Sequence, residues 1–133
     1  MTLGVRVIVC NDKNEVLLVR HTYVHGWHLP GGGVERGQTM RQAAKRELRE
    51  EAEIELTGKL QLVSFLANQR ASKRDHVAVL STRDWRFIKT FEANAEISEI
   101  GFFSLQNLPD GTTEPTQNRL KEFFDSQPGG DYW

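Results

Sequence analysis

The stretch that decides the fold runs from Gly32 to Ile54: Gly-Gly-Val-Glu-Arg-Gly-Gln-Thr-Met-Arg-Gln-Ala-Ala-Lys-Arg-Glu-Leu-Arg-Glu-Glu-Ala-Glu-Ile. A glycine-rich loop leads into a segment of strong helix formers, Ala43 to Glu51. Thr39 followed by Gln42 is a capping-box pattern and predicts that the helix starts there. On a wheel of about 100° per residue, Met40, Ala43, Ala44 and Leu48 share one arc, which should face the core. Gln42, Lys45, Arg49 and Glu53 fall on the opposite side, toward water. Glu47 and Glu51 lie within the apolar arc, with Glu50 at its edge.

Three carboxylates on an inward flank repel one another and lose hydration, which is costly unless cations compensate. Arg46, four residues before Glu50, supplies one partner. One arginine cannot neutralise three glutamates. A solvated charged helix would be the ordinary explanation for so many charges, but the water-facing side is already occupied by other residues. The pattern therefore predicts a divalent cation, and an all-oxygen set suits Mg²⁺ or Mn²⁺ better than zinc.

These residues also resemble the Nudix box, which reads Gly, five residues, Glu, seven residues, then Arg-Glu-apolar-any-Glu-Glu-any-Gly-apolar. Every spacing agrees, and seven of the nine defined positions match by residue type. Leu29-Pro30-Gly31-Gly32-Gly33 ahead of the box is similar to the family as well. Two positions depart. Gln38 stands where the family has Glu, so that carboxylate's charge is missing. Glu53 stands where the family has Gly, so either it adopts a left-handed backbone at a cost of about 1 kcal/mol or the helix ends differently.

The rest of the chain bounds the reading. It has 133 residues, enough for one domain, 1–133, with a single core. Net charge is −1, from 17 basic and 18 acidic residues, so no global field favours nucleic acid or a membrane surface. The single cysteine, Cys10, ends an apolar run and reads as core. No stretch has membrane-spanning length and the N-terminus lacks a signal-peptide layout, so a cytoplasmic location is expected. The tail 127–133 is expected to fray.

Gly4 to Cys10 and Glu15 to Arg20 read as strands joined by the turn Asn11–Asn14, and should form a hairpin. A loop from His21 to His28 follows. Beyond the helix come strands near 59–68, 76–82, 85–91 and 99–104. A second helix is expected to be capped at Thr116 and buried through Leu120, Phe123 and Phe124. Pattern alone gives α/β or α+β. The resemblance implies a Nudix-type α/β/α sandwich with a mixed β-sheet and two main helices.

The resemblance further implies a Mg²⁺- or Mn²⁺-dependent hydrolase that cleaves the pyrophosphate bond of a nucleoside diphosphate linked to another group. Glu47, Glu50 and Glu51 match the family's metal ligands, with Glu50 or Glu51 also a candidate for the base, and Gly32 the position whose carbonyl completes the shell. Arg46 matches the arginine that orients a catalytic glutamate. Glu96, ahead of the strand ending in Phe102-Phe103, matches a further metal-binding or base glutamate, with Glu99 as the alternative. His21, His25 and His28 lack the i, i+4 helical spacing of a zinc site and read as plain loop histidines, with a phosphate or substrate contact as the alternative. Arg20 and Arg70 are candidate phosphate contacts, Tyr23, Trp27 and Phe65 candidate base-stacking residues, and Asn68 a candidate for a base edge. A Nudix-fold binding module or sensor without hydrolysis is the alternative that Gln38 keeps open. The expected partner is a small molecule, with no nucleic acid and no membrane, and the protein is expected as a monomer or homodimer.

Overall fold

A computed structural model of the chain describes residues 1–133. In chain order its elements are β1 (Thr2–Val9), β2 (Val16–His21), β3 (Trp27–His28), β4 (Gly31–Gly33), α1 (Met40–Ala52), β5 (Ile54–Leu56), β6 (Gln61–Ala67), β7 (Asp75–Thr82), β8 (Trp85–Phe87), β9 (Ile97–Phe103) and α2 (Glu114–Phe124). A 3₁₀ turn, Leu105–Asn107, precedes α2.

β1 is the central strand. Its alternate side chains feed two separate cores, as the two-residue period of a strand requires. Val5, Val7 and Val9 meet Ala43, Ala44, Leu48 and Ala52 of α1. Ile8 and Cys10 point the other way, to a cluster that includes Leu120 of α2. One helix on each face of β1 gives the α/β/α layering expected above. Truncating a fully buried residue such as Leu48 to Ala would cost about 2–5 kcal/mol.

The main sheet has the order β4-β1-β7-β6. β1 and β7 are parallel, from Thr2 opposite Asp75 to Val9 opposite Thr82, and the other pairs are antiparallel. The sheet is therefore mixed, as expected. A second sheet has the order β3-β2-β9, and β5 pairs with β8.

The expected β1–β2 hairpin does not form. Both edges of β1 are taken, by β4 and β7, so β2 pairs with β3 and β9 instead. At the turn the two are linked by a bridge between Cys10 and Val16 and by the Asn11 N–H donating to Glu15 O at 3.0 Å. The second helix also starts earlier than Thr116. Thr113 is its N-cap and Pro115 lies in the first turn, where a missing N–H costs nothing. Thr116 is buried, with its Oγ1 2.7 Å from Thr113 Oγ1.

The tail expected to fray is docked along β6. Ala67 donates its N–H to Asp131 and accepts from Trp133 N–H, at 2.8 and 2.9 Å. Trp133 packs against the α2-side core, which gives the tail apolar surface to bury. No helix is long and apolar enough to cross a membrane.

Candidate active site

The site is built on α1, whose first turn is set by a reciprocal capping box. Gln42 N–H donates to Thr39 Oγ1 at 3.1 Å, and Thr39 N–H donates to Gln42 Oε1 at 2.9 Å. This phase turns Ala43, Ala44, Leu48 and Ala52 into the core and carries Glu47 and Glu51 with them. Glu50, at the edge of the arc, keeps 52% of its side chain exposed.

Gly32 opens the space that Glu47 occupies, and Gly31 lets β4 lie close against β1. A Cβ on Gly32 would fall 2.5 Å from Glu47 Oε1, and one on Gly31 would strike Val5 O. Gly31 also has φ of 156° and donates its N–H to Glu51 Oε1 at 2.8 Å. Gly32 is thus glycine because Glu47 fills the space beside it, and Gly31 because the Val5 backbone does.

Arg46 crosses the mouth of the site. Its Nη1 lies 3.0 Å from Glu47 Oε1, 3.4 Å from Glu35 and 3.8 Å from Glu50. Its Nη2 donates to Gly33 O at 2.9 Å and to Gln38 Oε1 at 3.4 Å. Gln38 Oε1 also accepts from Glu35 N–H at 3.0 Å. An amide oxygen suffices for both bonds, which explains how Gln stands at this position without opening the loop.

Sequence reasoning missed two members of the site. Arg6, in β1, donates to Leu29 O at 2.9 Å and places its charge against Glu51 and Glu47. A lone arginine within an otherwise apolar strand was the available signal. His21 is not in a loop but is the last residue of β2, with Nε2 3.4 Å from Glu51 Oε2. Glu96 joins them: His21, Glu51 and Glu96 each offer one donor atom within 4.8 Å of the others.

The electrostatics follow from burial. Glu51 is 1% exposed, and its carboxyl is pushed up to about 8, chiefly by loss of solvent. The Glu47 charge adds to this, while the Gly31 N–H and Arg6 oppose it. Glu47 is raised for the same first reason, with Arg46 opposing. Burial lowers His21 and His28. Glu51 Oε2 is buried with no hydrogen-bond donor. An orphaned carboxylate oxygen amid further carboxylates is the donor chemistry that a hard divalent cation takes up. The residues present fit such an ion.

The other candidates fall elsewhere. Trp27 is 8% exposed and packs edge-on against Phe103 in the core, so it cannot stack on a base. Arg20 pairs with Glu99 at 3.5 Å on the surface, which takes both away from the acidic cluster. Tyr23 is largely exposed in the loop after β2. Arg70 is exposed in the β6–β7 turn and forms no ion pair. Phe65 stacks on His76 along β6. Asn68 lines a cavity of about 570 Å³ beside Gly32 and Gly33, together with Leu3, Asp75 and Trp133.

Comparison with known proteins extends over nearly the whole chain. The sequence profile of the family described as NUDIX domain matches residues 1–126. The chain is 33% identical over 82 residues to the RNA pyrophosphohydrolase of Serratia proteamaculans, a match covering 62% of this chain and 37% of that protein. The chain therefore spans well under half the length of that curated relative. Among solved structures, a MutT NUDIX hydrolase from Burkholderia pseudomallei superposes with a TM-score of 0.76 at 23% identity, covering 90% of this chain and 95% of that one. A MutT protein from Methanosarcina mazei Go1 gives 0.75 at 19% identity, over 94% of each chain. Both likenesses concern the fold.

Proposed function

The chain belongs to the Nudix family, and from that premise we propose that it is a divalent-metal-dependent hydrolase of a pyrophosphate bond in a nucleoside diphosphate derivative. The observation that carries this reading is the inward acidic flank of α1, with Glu51 Oε2 buried and unpartnered. Such an arrangement costs stability in the empty protein and gains a purpose only when a cation enters.

Glu47, Glu50, Glu51 and the Gly32 carbonyl would hold the ion, with Mg²⁺ or Mn²⁺ suited to their oxygens. When bound, it would offset the charge of the diphosphate and acidify an attacking water. The protein's own residues do the positioning. The Gly31 N–H fixes one oxygen of Glu51, leaving the other free to ligate. Arg46 holds Glu47 and ties it to the Gly33 carbonyl. Arg6 supplies a second positive charge behind the cluster. Glu96 closes the cluster on the solvent side, where it would help hold the ion or serve as the base. The cavity lined by Asn68, Asp75 and Trp133 adjoins Gly32 and would receive the nucleoside.

The test is turnover of a panel of nucleoside diphosphate derivatives with Mg²⁺ or Mn²⁺. Release of a nucleoside monophosphate that stops on Glu50→Gln supports the proposal. Tight nucleotide binding without turnover across the panel would favour a sensor instead. The relative's name recommends adding an RNA with a 5′ polyphosphate end, the place where an RNA carries a pyrophosphate bond. A net charge of −1 argues against RNA as the main substrate.

A further inference from the structure

The acidic flank of α1 offers only oxygens, but the structure adds a nitrogen. Glu51 Oε2 is buried, unpartnered and directed at His21, whose Nε2 lies 3.4 Å away without forming a hydrogen bond to it. The other oxygen of Glu51 is occupied by the Gly31 N–H, so the carboxylate is held in one pose.

The backbone that carries Glu96 is tied to the end of β2 beside His21 by contacts unrelated to the carboxylates. Asn94 Oδ1 accepts the N–H groups of Glu96 and Ile97 at 2.9 and 2.8 Å. Thr22 donates its N–H to Glu96 O at 2.9 Å and its hydroxyl to Ala95 O at 2.6 Å. The β2–β9 register jumps from Arg20 opposite Glu99 to His21 opposite Ile97, so Ser98 is an extra residue on β9. A bulge of this kind re-aims the side chains beside it. Here it brings the end of β2 next to the loop that carries Glu96. Three elements distant in sequence thereby converge three donor groups within 4.8 Å.

We propose that His21 is a direct ligand, with Glu51 and Glu96, to a divalent ion, making a mixed nitrogen and oxygen site that prefers a transition ion such as Mn²⁺, Co²⁺ or Zn²⁺ to Mg²⁺. An imidazole ligand raises affinity for first-row transition ions, whereas Mg²⁺ demands oxygen. The proposal rests on the metal-dependent reading above and deepens it by naming a residue that sets metal preference.

The experiment uses the full chain stripped by chelator and reloaded with Mn²⁺. Pulsed electron paramagnetic resonance of the bound ion is expected to show coupling to an imidazole ¹⁴N. The coupling should vanish in His21→Asn and persist in His28→Asn. Calorimetric affinity for Co²⁺ should fall at least about tenfold in His21→Asn, since even outer-sphere partners of a metal ligand are worth 10–100-fold. Affinity for Mg²⁺ should change much less. Mn²⁺ bound to the wild-type chain without ¹⁴N coupling, or coupling that survives in His21→Asn, overturns the proposal and leaves the metal-dependent reading standing. Absence of any divalent-ion uptake overturns both. Should His21→Asn fail to fold, coupling that persists in His25→Asn, His28→Asn and His76→Asn assigns the nitrogen to His21, and its loss in any of them overturns the proposal.

Discussion

The two helices flank the same strand, and each buries charge, but they treat it in opposite ways. On α2, Arg119 is 5% exposed and fully partnered. Its Nε and Nη2 both reach the Glu122 carboxylate at 2.9 Å, its Nη1 donates to Tyr132 O at 3.2 Å, and Trp133 lies under it at 5.4 Å. On α1, Glu51 is buried as deeply but keeps one oxygen without a donor, beside two more glutamates. A buried charge with every partner in place joins segments together, and α2 uses it to hold the tail. A buried carboxyl with one oxygen unpartnered leaves a donor atom for a cation.

The largest effect separates these two roles. Arg119→Met leaves Glu122 without its ion-pair partner and releases Tyr132 and Trp133. Breaking a buried pair from one side costs about 3–5 kcal/mol. Denaturant unfolding should show that loss, while metal affinity of the folded fraction stays as it was. Glu51→Gln should do the reverse. In chelator it should unfold no more easily than wild type, yet divalent ions should no longer raise its melting temperature. If Glu51→Gln were the more destabilising of the two, the contrast between the helices would fail.

A pH series sharpens the same contrast. Folding raises the Glu51 carboxyl to about 8, against an ordinary value of 4.5. Between these values the folded state keeps a proton that the unfolded chain has lost. Stability of the metal-free protein is therefore greatest, as far as Glu51 is concerned, below pH 4.5, and is lost as pH rises to about 8. The loss is on the order of a few kcal/mol, at about 1.4 kcal/mol per pH unit. His21, lowered by burial, works the other way below its ordinary 6.5, so the difference between wild type and Glu51→Gln isolates the carboxyl. That difference should grow with pH in favour of the Gln variant, and reverse when metal is added, because only the wild type gains from the ion. A flat difference would mean that Arg6 already compensates the Glu51 carboxylate.

The open cradle is tested by filling it. Gly32→Ala sets a methyl 2.5 Å from Glu47 Oε1. Overpacking of this kind costs about 1–3 kcal/mol. The displaced glutamate should weaken divalent-ion binding measured by calorimetry. An Ala variant that binds metal as wild type does would show that Glu47 has room to move.

What could be read in advance was local. The capping box, the glycines and the inward placement of Glu47 and Glu51 follow from residue identity and the 3.6-residue period, and each holds in the structure. What could not be read was pairing at a distance. β1 and β2 are both apolar on two faces, so nothing in either says which strand takes which edge. His21 reaches Glu51 only because β9 carries one residue too many at Ser98. Arg119 looks like any surface arginine until the tail folds back over it.

The smallest effect concerns how the two helices stop. α2 ends at Asp125 with φ of −89°, which any residue adopts. α1 ends at Glu53 with φ of 57° and ψ of 39°, its N–H turned back to Arg49 O at 3.1 Å. Of the two endings foreseen for this position, the chain takes the strained one. The left-handed region costs a non-glycine residue about 1 kcal/mol, and the extra freedom of glycine in the unfolded chain returns part of that. Glu53→Gly should therefore stabilise the protein by about 0.5–1 kcal/mol, a rise of roughly 2–4 °C in melting temperature. Metal binding should not change, because Glu53 lies on the far side of α1 from Glu47 and Glu51. A loss of stability in Glu53→Gly would mean that the glutamate side chain makes up for its backbone, and that the end of α1 is as fully satisfied as that of α2.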